Sequence, residues 1–216
     1  HEAIAFVNYH DSEIDIASGT HDIDAQSLRF GLSVPQMWSG ENYDIGLYAV
    51  AGRNSYDGTR DVLVNQNTTT GITTVDASWD STELEIGADV TSNMALTSKL
   101  TLDSSLGLAV QVERVGSYSE QNYFAWDSRT IVQAHAKAEL TLGYQASNST
   151  RLYGIAGAWR RDVRSGETAS YTINNTAVSY NGGVYDDTIT SLRLGVGHSL
   201  TNGAIMSAEA MAMDSS

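Results

Sequence analysis

The chain has 216 residues, one proline, no cysteine and a formal net charge of −14 from 26 acidic and 12 basic side chains. The acidic excess excludes a protein that grips nucleic-acid phosphates, which needs Lys and Arg to replace counterions. The missing thiols exclude disulfide scaffolds, thiol catalysis and Cys-ligated metals, and no apolar run approaches the ~18 residues of a membrane-spanning helix.

In chain order the sequence alternates between period-two segments and polar connections. Residues 4–9 show a weak alternation, and residues 11–26 read as a long polar loop carrying Asp11, Glu13, Asp15, Asp22 and Asp24. From Ser27, Leu28, Phe30, Leu32 and Val34 alternate with Arg29, Gly31 and Ser33. A brief link at 39–42 leads to a weaker alternation over 43–53. Residues 55–82 read as a second long loop, with Asp57, Asp61, Asp76 and Asp80.

The clearest pattern begins at Glu83. Leu84, Ile86, Ala88, Val90 and Met94 face one way; Glu83, Glu85, Gly87, Asp89 and Thr91 face the other. After a short link at 97–99, Leu100, Leu102, Leu106, Leu108, Val110 and Val112 alternate with Thr101, Asp103, Ser105, Gly107, Gln111 and Glu113. A third long loop spans 116–128. Then Val132, Ala134, Ala136, Ala138, Leu140, Leu142 and Tyr144 alternate with Gln133, His135, Lys137, Glu139, Thr141 and Gly143. A tight turn at 147–150, a weaker strand over 152–163 and a fourth long loop over 165–187 follow. Leu192, Leu194 and Val196 alternate with Ser191, Arg193, Gly195 and Gly197. A hairpin turn at 201–203, where Asn202-Gly203 supplies the positive-φ residues, leads to a last weak strand over 204–213.

Successive side chains of a strand point to opposite faces, so each segment has one apolar and one polar face. The pattern gives about nine strands, many near the ~10 residues that cross a bilayer at a tilt. Long and short links alternate between them, as the outer loops and periplasmic turns of a membrane barrel do. The expectation is a single all-β domain over residues 1–216, an antiparallel transmembrane up-and-down β-barrel of about 10–12 strands when complete. An even strand number closes such a barrel, so an odd count ending in serine leads us to expect a chain incomplete at one or both ends. A charge on the lipid face costs ~2–4 kcal/mol for Arg or Lys at the midplane. On that ground Leu84, Ile86, Leu106, Leu108, Val110, Leu140, Leu142, Leu192, Leu194 and Val196 are assigned to lipid. Arg29, Glu85, Asp89, Gln111, Glu113, His135, Lys137, Glu139 and Arg193 are assigned to the lumen. A soluble sandwich also alternates and stays open as an alternative.

Chemical signatures are sparse. There is no nucleophile elbow, P-loop or H-E-x-x-H motif, the five histidines have no ligand spacing, and no metal or cofactor is expected. His21-Asp22-Ile23-Asp24 reads as solvated acidic loop. His135, Lys137 and Glu139 share one polar face, but no activated nucleophile accompanies them, so they read as lumen lining and the chain as a non-enzyme. Trp38, Trp79, Trp126 and Trp159, with Tyr43, Tyr118, Tyr123, Tyr144 and Tyr153, fall near strand ends and suit a membrane–water interface. The acidic loops read as solvated surface; binding of divalent ions that bridge lipopolysaccharide is the alternative.

The run 100–108, with Arg151-Leu152-Tyr153-Gly154-Ile155-Ala156-Gly157 and Leu192-Arg193-Leu194-Gly195-Val196-Gly197, resembles the amphipathic strands of autotransporter β-domains. That resemblance implies a translocator in the bacterial outer membrane that carries an N-terminal passenger to the surface. Its implied partners are outer-membrane lipid and lipopolysaccharide, the barrel-assembly machinery and its own passenger or linker, with no nucleic acid. A small porin-like or adhesin-like barrel without passenger is the alternative.

Overall fold

The computed structural model describes residues 2–16, 21–63, 72–121, 123–181, 186–200 and 204–215. These residues contain strands and turns and no helix. Nine long strands form one sheet: β1 (Ile4–Ile16), β2 (His21–Ser39), β3 (Asp44–Leu63), β4 (Ile72–Ala95), β5 (Leu100–Val115), β8 (Arg129–Gln145), β9 (Thr150–Ser165), β12 (Asp187–Ser199) and β13 (Ile205–Ser215). Each pairs antiparallel with its neighbours in the order β1-β2-β3-β4-β5-β8-β9-β12-β13, and the sheet is a half-barrel. Four short strands, β6 (Tyr118–Glu120), β7 (Phe124–Trp126), β10 (Thr168–Ile173) and β11 (Thr176–Asn181), form a second sheet in the order β11-β10-β7-β6.

The short connections fall where the sequence places them. The Gly40 N–H donates to the Tyr43 carbonyl, Leu96 N–H to Leu100, and Ala146 N–H to Thr150, closing three tight turns. The expected turn at 201–203 lies outside the described residues, as do Gly182 and Gly183.

The long polar stretches are not plain loops. Residues 11–16 and 21–26 belong to β1 and β2, residues 55–63 to β3 and residues 72–82 to β4. Residues 116–128 contain β6 and β7, and 165–187 contain β10 and β11. The nine strands of the large sheet therefore run from 11 residues in β13 to 24 in β4. The physical reason is a change of phase. In β4 the apolar side chains sit at even positions from Leu84 to Met94, but at odd positions in Val75, Ala77 and Trp79. The backbone continues while the apolar face switches sides, which in sequence looks like the end of a strand. β3 switches in the same way, from Ile45, Leu47, Ala49 and Ala51 to Tyr56 and Val62.

The second sheet covers the inverted ends. Val62, Val75, Ile131, Val163 and Ala169 are buried there, so the packed core lies at the long-connection end. Elsewhere the large sheet is a single layer with an uncovered apolar face, unlike a sandwich, whose two sheets bury theirs against each other. The β10–β11 hairpin turns through Asn174 and Asn175, at φ of 49° and 61°, the left-handed pair a type I′ turn requires.

Candidate functional site

Register carries one polar row across the sheet. Arg29 pairs with Gly52, Gly52 with Glu83, Glu83 with Glu113, and Glu113 with Ile131. With period two along each strand, Glu85, Asp89, Gln111, His135, Lys137, Glu139 and Arg193 fall on the same face. The ten apolar residues assigned to lipid share the opposite face. Nine of them are at least 48% exposed, and Val196 is partly covered. Side chains of that size left bare in a continuous belt mark a surface made for an apolar partner.

The polar face is knitted by pairs that skip a strand. Arg29 on β2 reaches Glu83 on β4 (Nε to Oε1 2.5 Å) over Gly52 of β3. Arg193 on β12 donates to Glu139 on β8 at 2.8 Å across β9, beside Gly157. Arg151 on β9 reaches Thr101 and Asp103 on β5, at 3.2 and 3.5 Å, across Gly143 of β8. At two of these crossings glycine keeps the path open, because a Cβ would occupy it: one built on Gly52 lies 2.6 Å from Glu83 Oε1, and one on Gly143 lies 2.8 Å from Thr101 Oγ1. Gln111 donates to Glu83 at 2.6 Å, Ser81 to Glu113 at 2.6 Å, Asn54 to Ser81 at 3.0 Å, and Tyr48 to Glu85 at 2.8 Å. Glu83, with its side chain 4% exposed, takes its hydrogen bonds from Arg29 and Gln111 on Oε2, while the buried Oε1 has no hydrogen bond among the described residues and is offset by the adjacent Arg29 guanidinium.

The three residues weighed as an acid–base set are dispersed among these contacts. His135 faces Glu85 at 3.9 Å and packs on the Trp159 ring at 5.5 Å, Glu139 is taken by Arg193, and Lys137 is exposed. Among the described residues, no group of three or more His, Cys, Asp or Glu side chains is placed to hold a metal ion.

The long-connection end has its own chemistry. Tyr56, Trp79, Tyr118 and Trp126 stack in sequence, with ring centroids 5.2, 5.0 and 5.7 Å apart. Tyr171 packs on Trp126 at 4.8 Å. These rings join the second sheet to the inverted ends of β3 and β4, around a cavity of about 490 Å³ bounded also by Val75, Ile131 and Arg161. Burial, then the nearby Glu120 charge, pushes the Tyr118 hydroxyl up to about 12. On the opposite face, donation by Ser55 and then Arg53 holds the Asp80 carboxyl below its ordinary value. Of the acidic residues expected on loops, Asp11, Glu13, Asp22, Asp24, Asp57, Asp61, Asp76 and Asp80 stand on strands at this end, where Glu13, Asp24 and Asp57 are register neighbours.

The aromatic residues divide. Trp38, Tyr43 and Tyr144 are exposed at the short-turn end, as an interfacial girdle requires. Trp79, Tyr118 and Trp126 instead form the stack, while Tyr153 and Trp159 lie on the polar face, Tyr153 over Gly195 and donating to Glu209 at 3.1 Å. Sequence reasoning missed Arg60, Glu120 and Arg151. The odd-position run Val75, Ala77, Trp79 was the signal for the first two, since it announces an inward apolar face needing a cover.

A family model described as autotransporter beta-domain matches residues 5–210. No curated protein matches the sequence. Among solved structures, the fold is similar to the translocator domain of autotransporter NalP from Neisseria meningitidis, with a TM-score of 0.68 and 17% identity over 99% of this chain and 72% of that one. Bare apolar face, polar network on the opposite face, sequential antiparallel order and family match converge: the chain belongs to the autotransporter β-domain family, the translocator barrels of the bacterial outer membrane.

Proposed function

We propose that this domain sits in the outer membrane with the Leu84, Ile86, Leu106, Leu108, Val110, Leu140, Leu142, Leu192, Leu194 and Val196 face against lipid, and that its N-terminal passenger passes along the opposite, polar face. The single observation that carries this is the belt of exposed leucine, isoleucine and valine set back-to-back against a hydrogen-bonded polar lining. A lumen charge is hydrated or paired, whereas a lipid-facing one is neither. Glu83, Glu85, Glu113 and Glu139 each have a protein donor or cationic partner, so the lining presents a hydrated wall to a polypeptide without gripping it. Lipopolysaccharide is the expected neighbour of the outer strand ends, and the barrel-assembly machinery the expected insertase. Catalysis has no role, because the polar groups are committed to one another rather than aimed at a shared point.

Single-cysteine labels test this directly in a chain with no cysteine. Labels at Leu108 and Leu140 are expected to be quenched by lipid-soluble reagents, and labels at Gln111 and Glu139 by aqueous ones. Shielding of positions 108 and 140 from both would mean protein behind that face and would sink the reading.

A further inference from the structure

We propose that the second sheet is a cap over the long-connection mouth of the barrel, held shut by a latch between Arg60 and Glu120. The proposal rests on the translocator reading and adds a regulated exit to it. Glu120 on β6 has its side chain 5% exposed. It accepts from Arg60 Nε at 3.1 Å and Arg60 Nη2 at 2.6 Å, and its other oxygen accepts from Trp126 Nε1 at 2.9 Å. Arg60 stands on the inverted end of β3, so this ion pair ties the cap to the barrel wall. The guanidinium also lies 5.2 Å from the Phe124 ring centroid and 6.0 Å from that of Trp126, both on β7 of the cap.

Further ties are the Tyr118–Trp79 stack and a Gln121–Asp76 hydrogen bond of 2.8 Å at the rim. Among the described residues, no strand ladder joins the two sheets. The cap is therefore a body that can leave the wall by losing side-chain contacts and the apolar packing beneath it, whereas either sheet comes apart only by losing backbone hydrogen bonds. It connects to β9 through Gly166, at φ +88°, where a side chain would meet the Thr130 carbonyl; that backbone conformation is cheap only for glycine. Beneath it lies the cavity of about 490 Å³, with Ile131 on its floor and Ala169 on its roof, both buried. An ion pair with one buried partner suits a latch. Glu120 is the buried partner and Arg60 the partly exposed one, so removing the Arg60 charge strands a buried carboxylate and shifts the open–closed balance strongly.

The full chain is tested in lipid vesicles with single cysteines at Ile131 or, as a second probe, Ala169, using an aqueous maleimide. Arg60→Gln, which strands the buried Glu120 carboxylate, is expected to raise the labelling rate at both positions by about tenfold or more, and Glu120→Gln to raise it by less. They should leave the heat-dependent gel shift of the folded barrel unchanged. Labelling at the wild-type rate in a barrel that stays folded overturns the latch. So does loss of the folded barrel in Glu120→Gln, which makes the pair part of the folding core. Passenger exposure on cells is scored separately on the wild type: its absence there fails the translocator reading, while altered labelling with normal exposure bears on the latch alone.

Discussion

Arg29 and Glu83 sit on strands that do not touch, and they meet over Gly52. The shared row Arg29–Gly52–Glu83 is a product of register on both sides of β3, and the absence of a side chain at its centre lets the guanidinium lie across the strand. The two charges hold β2, β3 and β4 in one register, because a slip of one residue would move Arg29 to the apolar face.

Gly52→Val is expected to destabilise the folded barrel by about 1–3 kcal/mol, because its Cβ would lie 2.6 Å from Glu83 Oε1 and 3.0 Å from Arg29 Cγ. Denaturant unfolding followed by the gel mobility of the folded form measures it. A variant as stable as wild type would show that the pair does not need the gap. Arg29→Ala should cost about 1–3 kcal/mol by leaving a buried carboxylate short of its strongest donor.

Leu108→Arg should cost ~2–4 kcal/mol of barrel stability, since it sets a charge in the middle of the bare apolar belt. Gln111→Arg, three residues away on the polar face, is expected to fold normally and change only conduction or passenger transit. Equal damage from both substitutions would mean that the two faces are not chemically distinct surroundings.

The cap end and the short-turn end should lie on opposite sides of the membrane. Single cysteines at Ser119 in the cap and Ser147 in a tight turn are both exposed. A membrane-impermeant reagent applied to intact cells should label Ser119→Cys and spare Ser147→Cys. The reverse result would invert the orientation.

Alkali should act through Tyr118. Its hydroxyl titrates at about 12 in the folded chain, above the ~10 of an unfolded tyrosine. The folded state therefore holds this proton more tightly. Its contribution to stability is intact below pH ~10 and is lost as pH climbs from ~10 to ~12. Absorbance titration of phenolate in wild type and Tyr118→Phe should differ only in the high-pH step. A difference near pH 10 would mean an open, solvated ring and a loosely seated cap.

Alternation alone determined that Leu106, Leu108 and Val110 oppose Gly107, Gln111 and Glu113, because the faces of a strand follow from a period set by the backbone. With the ordering of long and short links, that was enough to reach a membrane barrel and to put the two sets of residues on opposite faces of the sheet. What the sequence could not settle were relations between distant segments. Arg60 and Glu120, 60 residues apart, become partners only when the 116–128 segment folds back over β3. Thr82 looked like a strand end because the apolar side switches there, yet the backbone ladder runs on to Ile72. Hydrogen bonds between strands are indifferent to which face is apolar. The tertiary structure decided that the reversed face needs a cover and built it from two connections far apart in the chain.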